Sequence, residues 1–277
     1  MTISERSILI TGCSSGIGYY CAHALRDRGW RVFASCRAQS DCDRLIAEGF
    51  DSPRIDYSDA DSIETGLNAV LHATNGTLGA LFNNGAYACP GAIEDIPTGA
   101  LREIFETNVF GWHELTRRVI PVMRAQGHGR IVQNSSVLGY APYQWRGAYS
   151  TTKYALEGLS RTMQLELANT GIKVVMIQPG PIDTKIRENS IPHFERWIDW
   201  ENSARVDDYR RLLGRLYEPG PKDRYELGPD AVCDVLIKAL EHRNPRPSYQ
   251  VTTPAKLMRW IARLLPERVI LSILARG

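Results

Sequence analysis

A tyrosine and a lysine stand four positions apart in "YSTTKYALEGL", at Tyr149 and Lys153. On a helix that spacing puts both side chains on one face. A phenol normally keeps its proton until about pH 10. A neighbouring ammonium stabilises the phenolate and makes the tyrosine a usable acid or base near neutrality. Alone, such a pair occurs by chance on many helices. Here Ser136 closes the apolar stretch "GRIVQNSS", thirteen residues before Tyr149. A strand end and a helix start can therefore meet over one pocket. Asn108, in "ETNVFG", falls inside a preceding predicted helix, where its amide could hold a water or a backbone carbonyl.

A second cluster is "TGCSSGIG" at residues 11–18, directly after the apolar run "SILI". A plain tight turn is one reading. The other is a strand-to-helix turn shaped for an anion. Gly12 turns the chain sharply, while Gly16 and Gly18 let the backbone approach a ligand and the helix pack close to the strand. The first amides of that helix and its dipole then face a pyrophosphate. Ser14 and Ser15 add hydroxyl donors. The spacing is GxxxGxG, a weak signal alone and a stronger one between a strand and a helix.

The rest of the chain alternates short apolar strands with amphipathic helices. "SILITG", "WRVFASCR", "PRIDYSD", "GALFNNGA", "GRIVQNSS" and "IKVVMIQPG" read as strands, and "PSYQVT" as a last one. Helices are predicted between them, including one around 98–126 and one over 147–170. Strands of this kind are buried on both faces. The pattern predicts an α/β fold, a doubly wound parallel sheet in three α/β/α layers, as a single domain over 1–277.

Composition narrows the partners. A net charge of +2 on 277 residues gives no support for nucleic-acid binding. No apolar run reaches the length of a membrane span, and "MTISERS" is too short for a signal peptide. The six cysteines have no CxxC pair and no histidines at zinc spacing, so free thiols in a cytoplasmic protein are expected, with no metal site.

Taken together, "TGCSSGIG", "LFNNGA", "TNVFG", "IVQNSS", "YSTTK" and "QPGPIDT" resemble the short-chain dehydrogenase/reductase family, with its Rossmann-like fold, over about residues 5–184. "VFASCR", "KYALEGLS" and "PGPI" are most similar to the branch with retinol and 17β-hydroxysteroid dehydrogenases and bacterial NADP-dependent aldehyde reductases. The resemblance implies that Tyr149 gives and takes the proton and that Ser136 binds the substrate oxygen. It implies that Lys153 holds the nicotinamide ribose and lowers the pKa of Tyr149, and that Asn108 supports the proton relay. Ser14, Ser15, Gly16, Ile17 and Gly18 would line the pyrophosphate, and Asn84 and Gly85 the adjoining loop. Pro179, Gly180, Ile182 and Thr184 would cover the nicotinamide. One departure is Asn83-Asn84-Gly85-Ala86 where the family has NNAG; both residues stay small, so the backbone is expected to hold.

The dinucleotide is expected to be NADP(H) rather than NAD(H). An NAD enzyme ends its second strand with an acid that binds the ribose hydroxyls. That place is Cys36 here, followed by Arg37, whose fork suits a 2′-phosphate. Ser15 is a second candidate for that phosphate. Asp56 is expected to reach the adenine, with the Tyr57 backbone nearby.

The remainder is less readable. Residues 185–228, with Phe194, Trp197, Trp200, Tyr209 and Tyr217, suit a substrate lid of short helices or an exposed insertion. His193 and His242 read as ordinary surface or loop residues. Leu156, Leu159, Met163 and Leu167 suggest apolar surface for a homodimer or homotetramer. Residues 254–277 form a basic amphipathic extension, broken at Pro266, that could pack on the protein or contact a membrane peripherally. The reading is an NADP(H)-dependent oxidoreductase acting on an aldehyde, ketone, retinoid or steroid-like carbonyl or alcohol. The alternative is a catalytically silent dinucleotide-binding regulator, which would be expected to lose the tyrosine or the lysine. A nucleotide-sugar epimerase is disfavoured by the glycine spacing.

Overall fold

β1 (Ser7–Thr11), SILIT, alternates its side chains between two apolar layers. Ile8 and Ile10 enter one cluster with Leu25, Val32, Val175 and Leu236, whereas Leu9 enters the other with Phe33, Leu67, Leu81, Trp112 and Ile131. A strand buried on both faces needs helices on both faces, and the chain supplies them. The computed structural model describes residues 6–218 and 224–275. Its sheet has the order β2-β1-β3-β4-β5-β6, all parallel.

The first layer holds α1 (Gly16–Asp27) and α9 (Pro229–Glu241). The second holds α3 (Ala60–Ala73), α5 (Gly111–Gln126) and α6 (Gly147–Glu166). β2 (Arg31–Ser35) is followed by the short α2 (Gln39–Ala47). β3 (Ala80–Asn83), β4 (Gly129–Asn134), β5 (Ile172–Pro179) and β6 (Ser248–Val251) complete the sheet. The chain leaves β1 toward β2 and returns beyond β1 to β3. The crevice at the carboxyl ends of β1 and β3 is therefore the switch point of the sheet, where such folds bind ligands.

Three expectations need correction. "PRIDYSD" does not form a regular strand; only the isolated bridges Phe33–Asp51 and Cys36–Arg54 remain on the outer edge of β2. Pro53 cannot donate to a ladder, and Tyr57 turns inward to Thr11 and Asn83 instead. The helix expected around 98–126 is α4 (Thr98–Phe105) and α5 joined by a π-helical turn, Glu106–Phe110. Leu156 of α6 and Leu167 just past its end are core residues, so they offer no surface to a partner; Leu159 and Leu165 are the exposed leucines of that helix.

After β5 come α7 (Ile186–Trp197), a 3₁₀ turn at Trp200–Asn202 and α8 (Val206–Tyr217). Phe194, Ile198, Tyr209, Leu212 and Leu216 pack with Tyr87, Ala92, Ile104 and Tyr149 in a third apolar cluster. This insertion is thus anchored on the domain and is not a solvated appendage. Residues 219–223, within the span 185–228, lie outside the described residues. The chain ends in α10 (Thr253–Leu264) and α11 (Glu267–Leu274), separated at Pro266 as the sequence predicts. Arg276 lies outside the described residues. Among the described residues no helix is long and apolar enough to cross a membrane, and all six cysteines are buried free thiols.

Candidate active site

Tyr149, Lys153 and Glu157 follow one another at successive turns of α6, facing the ends of β4 and β5. Ser136 leaves β4 in extended backbone, and its hydroxyl accepts from the Leu138 amide at 3.1 Å, starting the turn Val137–Gly139. The Ser136 hydroxyl lies close enough to the Tyr149 hydroxyl to favour its phenolate. The Lys153 ammonium donates to the Asn134 carbonyl at 2.8 Å and lies 4.5 Å above the Trp112 ring. Ser136, Tyr149 and Lys153 therefore converge as their spacing predicts.

Burial dominates the electrostatics. It pushes the Tyr149 phenol above its usual range, and the hydrogen bond from Ser136 opposes it. It lowers the Lys153 ammonium to about 7, against the field of Glu157, which favours the charged form. The Lys153 ammonium is aimed at the Asn134 carbonyl and lies 5.3 Å from the centre of the Tyr149 ring.

Asn108 occupies the π turn between α4 and α5. Such turns bring a side chain out of helical register, often at functional sites. Its amide nitrogen donates to the Tyr87 carbonyl at 2.9 Å and its oxygen accepts from the Tyr87 amide at 3.2 Å. Of the two partners expected for Asn108, the structure supplies the backbone carbonyl.

The glycine turn lies against the end of β3. Gly12 has φ +69, and a Cβ there would come within 2.5 Å of the Gly85 Cα. A Cβ on Gly16 would meet the Thr184 side chain at 3.3 Å, and one on Gly18 would collide with the Gly12 carbonyl. The turn is thus a cradle that side chains would fill. Ser15 precedes α1 without capping it, which leaves the first amides of that helix open to an anion. These are the properties a dinucleotide pyrophosphate requires, and Ser14, Ile17 and Thr184 stand at the same mouth.

Asn84 and Gly85 build this cradle. The Asn84 amide nitrogen donates to the Thr11 and Gly12 carbonyls, and its oxygen accepts from Asn134 at 2.8 Å. The Gly85 amide donates to Thr11 Oγ1, and its carbonyl accepts from Trp112 Nε1 at 2.7 Å. The Asn84 side chain and the Gly85 amide and carbonyl are thus engaged inside the protein. The exchanged Gly85-Ala86 order is accommodated. Gly85 keeps φ outside the left-handed region and sits closest to Gly12.

Pro179 ends β5, and the Gly180 amide donates to the Val251 carbonyl at 3.1 Å. Ile182 bridges to Leu227, so the 179–184 loop is clamped from both sides. At the other end, Cys36 is buried and its thiol is pushed up to about 12, so it stays neutral. Arg37 is exposed and its field reaches His193 across the cleft. Asp56 accepts from the Ser58 amide and hydroxyl, which ties one carboxylate oxygen to its own turn. The Tyr57 phenol is buried on Thr11 and Asn83, so only its backbone could serve the adenine end.

Four contributors were missed in the sequence. Arg44 donates to the Ser14 carbonyl at 2.8 Å and brings a second positive charge beside the turn. Trp112 joins Lys153 to Gly85. Glu157, 4% exposed, accepts from Gln178 at 2.6 Å and from Arg161 at 2.9 Å. His193, expected as an ordinary surface residue, is stacked on Tyr87 with centroids 3.7 Å apart and pairs with Glu103 at 3.3 Å. A helical i, i+4 spacing from Lys153 marks Glu157; the other three carry no local signal.

A cavity of about 880 Å³ lies beside this site. Ile93, Tyr143, Trp145, Tyr154 and Arg205 line it with Ser150 and Thr151 of α6, but Ser136, Tyr149 and Lys153 do not. It is a neighbour of the site and not the reaction centre.

Known proteins agree with this architecture. The oxidoreductase YbbO of Escherichia coli (strain K12) is 36% identical over 272 residues, 98% of this chain and 95% of that protein. The NADPH-dependent 1-acyldihydroxyacetone phosphate reductase of Schizosaccharomyces pombe is 31% identical, over 78% of this chain and 83% of that one. Retinol dehydrogenase 16 of Mus musculus is 27% identical over 98% of this chain and 88% of that one. A short-chain dehydrogenase structure from Streptomyces avermitilis superposes with a TM-score of 0.76 at 27% identity, covering 99% of both chains. With the short chain dehydrogenase family model matching residues 6–194, and with retinol dehydrogenases among its relatives, the chain belongs to the short-chain dehydrogenase/reductase family of oxidoreductases.

Proposed function

We propose that the protein is an NADP(H)-dependent oxidoreductase that moves a hydride between the nicotinamide and a carbonyl or alcohol carbon. The observation that carries this reading is the convergence of Ser136, Tyr149 and Lys153 beside the glycine turn. The bound dinucleotide supplies or accepts the hydride. Tyr149 Oη gives its proton to the carbonyl oxygen during reduction and takes it back during oxidation. Ser136 Oγ holds that oxygen, and Asn108 fixes the Tyr87 peptide alongside. Lys153 holds a ribose hydroxyl and, when protonated, favours the phenolate left after transfer.

Arg37 and Arg44 supply positive charge at the adenosine end, and no carboxylate ends β2. This supports NADP(H) over NAD(H), as does the NADPH named for the fission-yeast relative. The acyl-bearing ketone in that relative's name and the retinol of the mouse one support an aldehyde or ketone with an apolar tail, or the matching alcohol, as the substrate class. Residues 185–228 serve as the substrate lid, a reading supported by Phe194, Ile198, Tyr209, Leu212 and Leu216, which share one apolar cluster with Tyr87 and Tyr149. The exposed Leu159 and Leu165 on α6 support a homodimer or homotetramer paired through that helix. Six free thiols suit a reducing cytoplasm.

The test is oxidation of NADPH, with NADH as comparison, against medium- and long-chain aldehydes, ketosteroids and retinal. Turnover with a tenfold or greater preference for NADPH is expected. Tight NADPH binding without turnover on any carbonyl would favour the silent regulator, against which the presence of both Tyr149 and Lys153 already argues.

A further inference from the structure

The two terminal helices carry apolar side chains that no other described residue covers. Leu257, Trp260 and Leu264 recur at helical spacing on α10, and Trp260 and Leu264 are 63% and 72% exposed. On α11 no residue is buried, and Val269, Leu271 and Ile273 are 42%, 51% and 42% exposed. Only Ala255 of α10 is fully buried, with the Tyr140 hydroxyl donating to its carbonyl at 2.7 Å. Water therefore meets the apolar stripe of α10 and the apolar side chains of α11, which mark a contact site.

Charge selects the occupant. From Thr253 onward the sequence carries five basic residues and one acid, a net +4 in a chain whose total is +2. The remaining 252 residues are thus net −2, and the positive charge is concentrated beside the apolar strip. Lys256 and Arg263 flank it on α10, and neither is paired with a carboxylate among the described residues. A second copy would bring the same positive flank against itself. An anionic bilayer matches both features, since basic residues meet its headgroups while leucines and a tryptophan enter the acyl boundary.

We propose that α10 and α11 form a docking surface for an anionic lipid bilayer. The surface adjoins the reaction site: Tyr140, which holds α10, follows the turn that starts at Ser136. The field of Glu267, at the head of α11, reaches Tyr154, which lines the 880 Å³ cavity. Docking would set the cavity at the lipid boundary. Membrane docking is independent of the hydride-transfer reading, because it is measured without turnover.

The experiment is co-sedimentation of the full-length protein with phosphatidylglycerol–phosphatidylcholine vesicles and with pure phosphatidylcholine vesicles, alongside light scattering without lipid. The wild type is expected to sediment with the anionic vesicles at low salt and to be released by high salt. Binding should fall by at least about tenfold in Lys256→Glu/Arg263→Glu and in Leu257→Ser/Leu264→Ser. The oligomeric state and the turnover of a short, water-soluble aldehyde should stay unchanged in both. Failure of the wild type to bind anionic vesicles would overturn the proposal. So would equal binding to both vesicle types, or dissociation of an oligomer by Leu257→Ser/Leu264→Ser, which would assign the face to a second copy.

Discussion

Gln178 of β5 donates to Glu157 of α6 across 2.6 Å, and so fixes a buried carboxylate one turn beyond Lys153. Gln250 of β6 donates in turn to Gln178, also at 2.6 Å. The charge that favours a protonated Lys153 is thereby held by two neighbouring strands, while Arg161 balances its other oxygen.

Replacing Glu157 by Gln should therefore act through pH. The change keeps the side-chain size but removes the field that opposes desolvation of Lys153. Lys153 then loses its proton at lower pH, and the alkaline limb of kcat/KM moves to lower pH. NADPH affinity at pH 6 should change little. An alkaline limb identical to that of the wild type would show that Glu157 only packs.

Tyr149→Phe keeps the ring and removes the transferable proton. NADPH binding, followed by fluorescence, should persist while turnover falls by about 10² or more. Near-normal turnover would rule out Tyr149 as the acid and base.

Lys153 also leaves a mark on stability. The unfolded chain keeps its proton up to the ordinary 10.5, whereas the folded protein releases it near 7. Between those values the unfolded state binds more protons, so the contribution of this group to stability rises with pH and is lost as pH falls toward 7. The slope from one proton is at most about 1.4 kcal/mol per pH unit. Urea unfolding of Lys153→Met should show a flatter dependence between pH 7 and 10 than the wild type. Parallel curves would contradict the depressed value.

Arg37→Asp replaces attraction to a 2′-phosphate by repulsion. One charged hydrogen bond contributes about 1.5–3 kcal/mol, so NADPH binding should weaken about tenfold to a hundredfold while NADH binding changes little. Arg44→Gln should weaken both cofactors, because Arg44 holds the Ser14 carbonyl that both would use. Equal losses with Arg37→Asp, measured by titration calorimetry, would remove Arg37 from the phosphate.

The legible part of this site was the part written in local spacing. Tyr149 and Lys153 share a helix face, Ser136 ends the strand before it, and the turn glycines follow one strand directly. Parallel strand order follows from the alternation of strands and helices. Trp112 was not legible, because its partner Gly85 is 27 residues away and the bond arises only when α5 crosses the end of β3. Arg44 was masked by Asp41 and Glu48, which give it the look of an ordinary solvated helix pair. The exposure of Leu257 and Leu264 was equally hidden, since an amphipathic stripe reads the same whether or not something covers it.

The Tyr87–His193 stack joins two parts of the protein that would otherwise move separately. His193 rides on α7, while the Tyr87 peptide is gripped at both its amide and its carbonyl by Asn108. Any swing of α7 that admits a substrate must slide one ring over the other or pull on that peptide. Any such movement is in this way geared to Asn108, and the face shared by two rings is the tooth at which the two motions mesh.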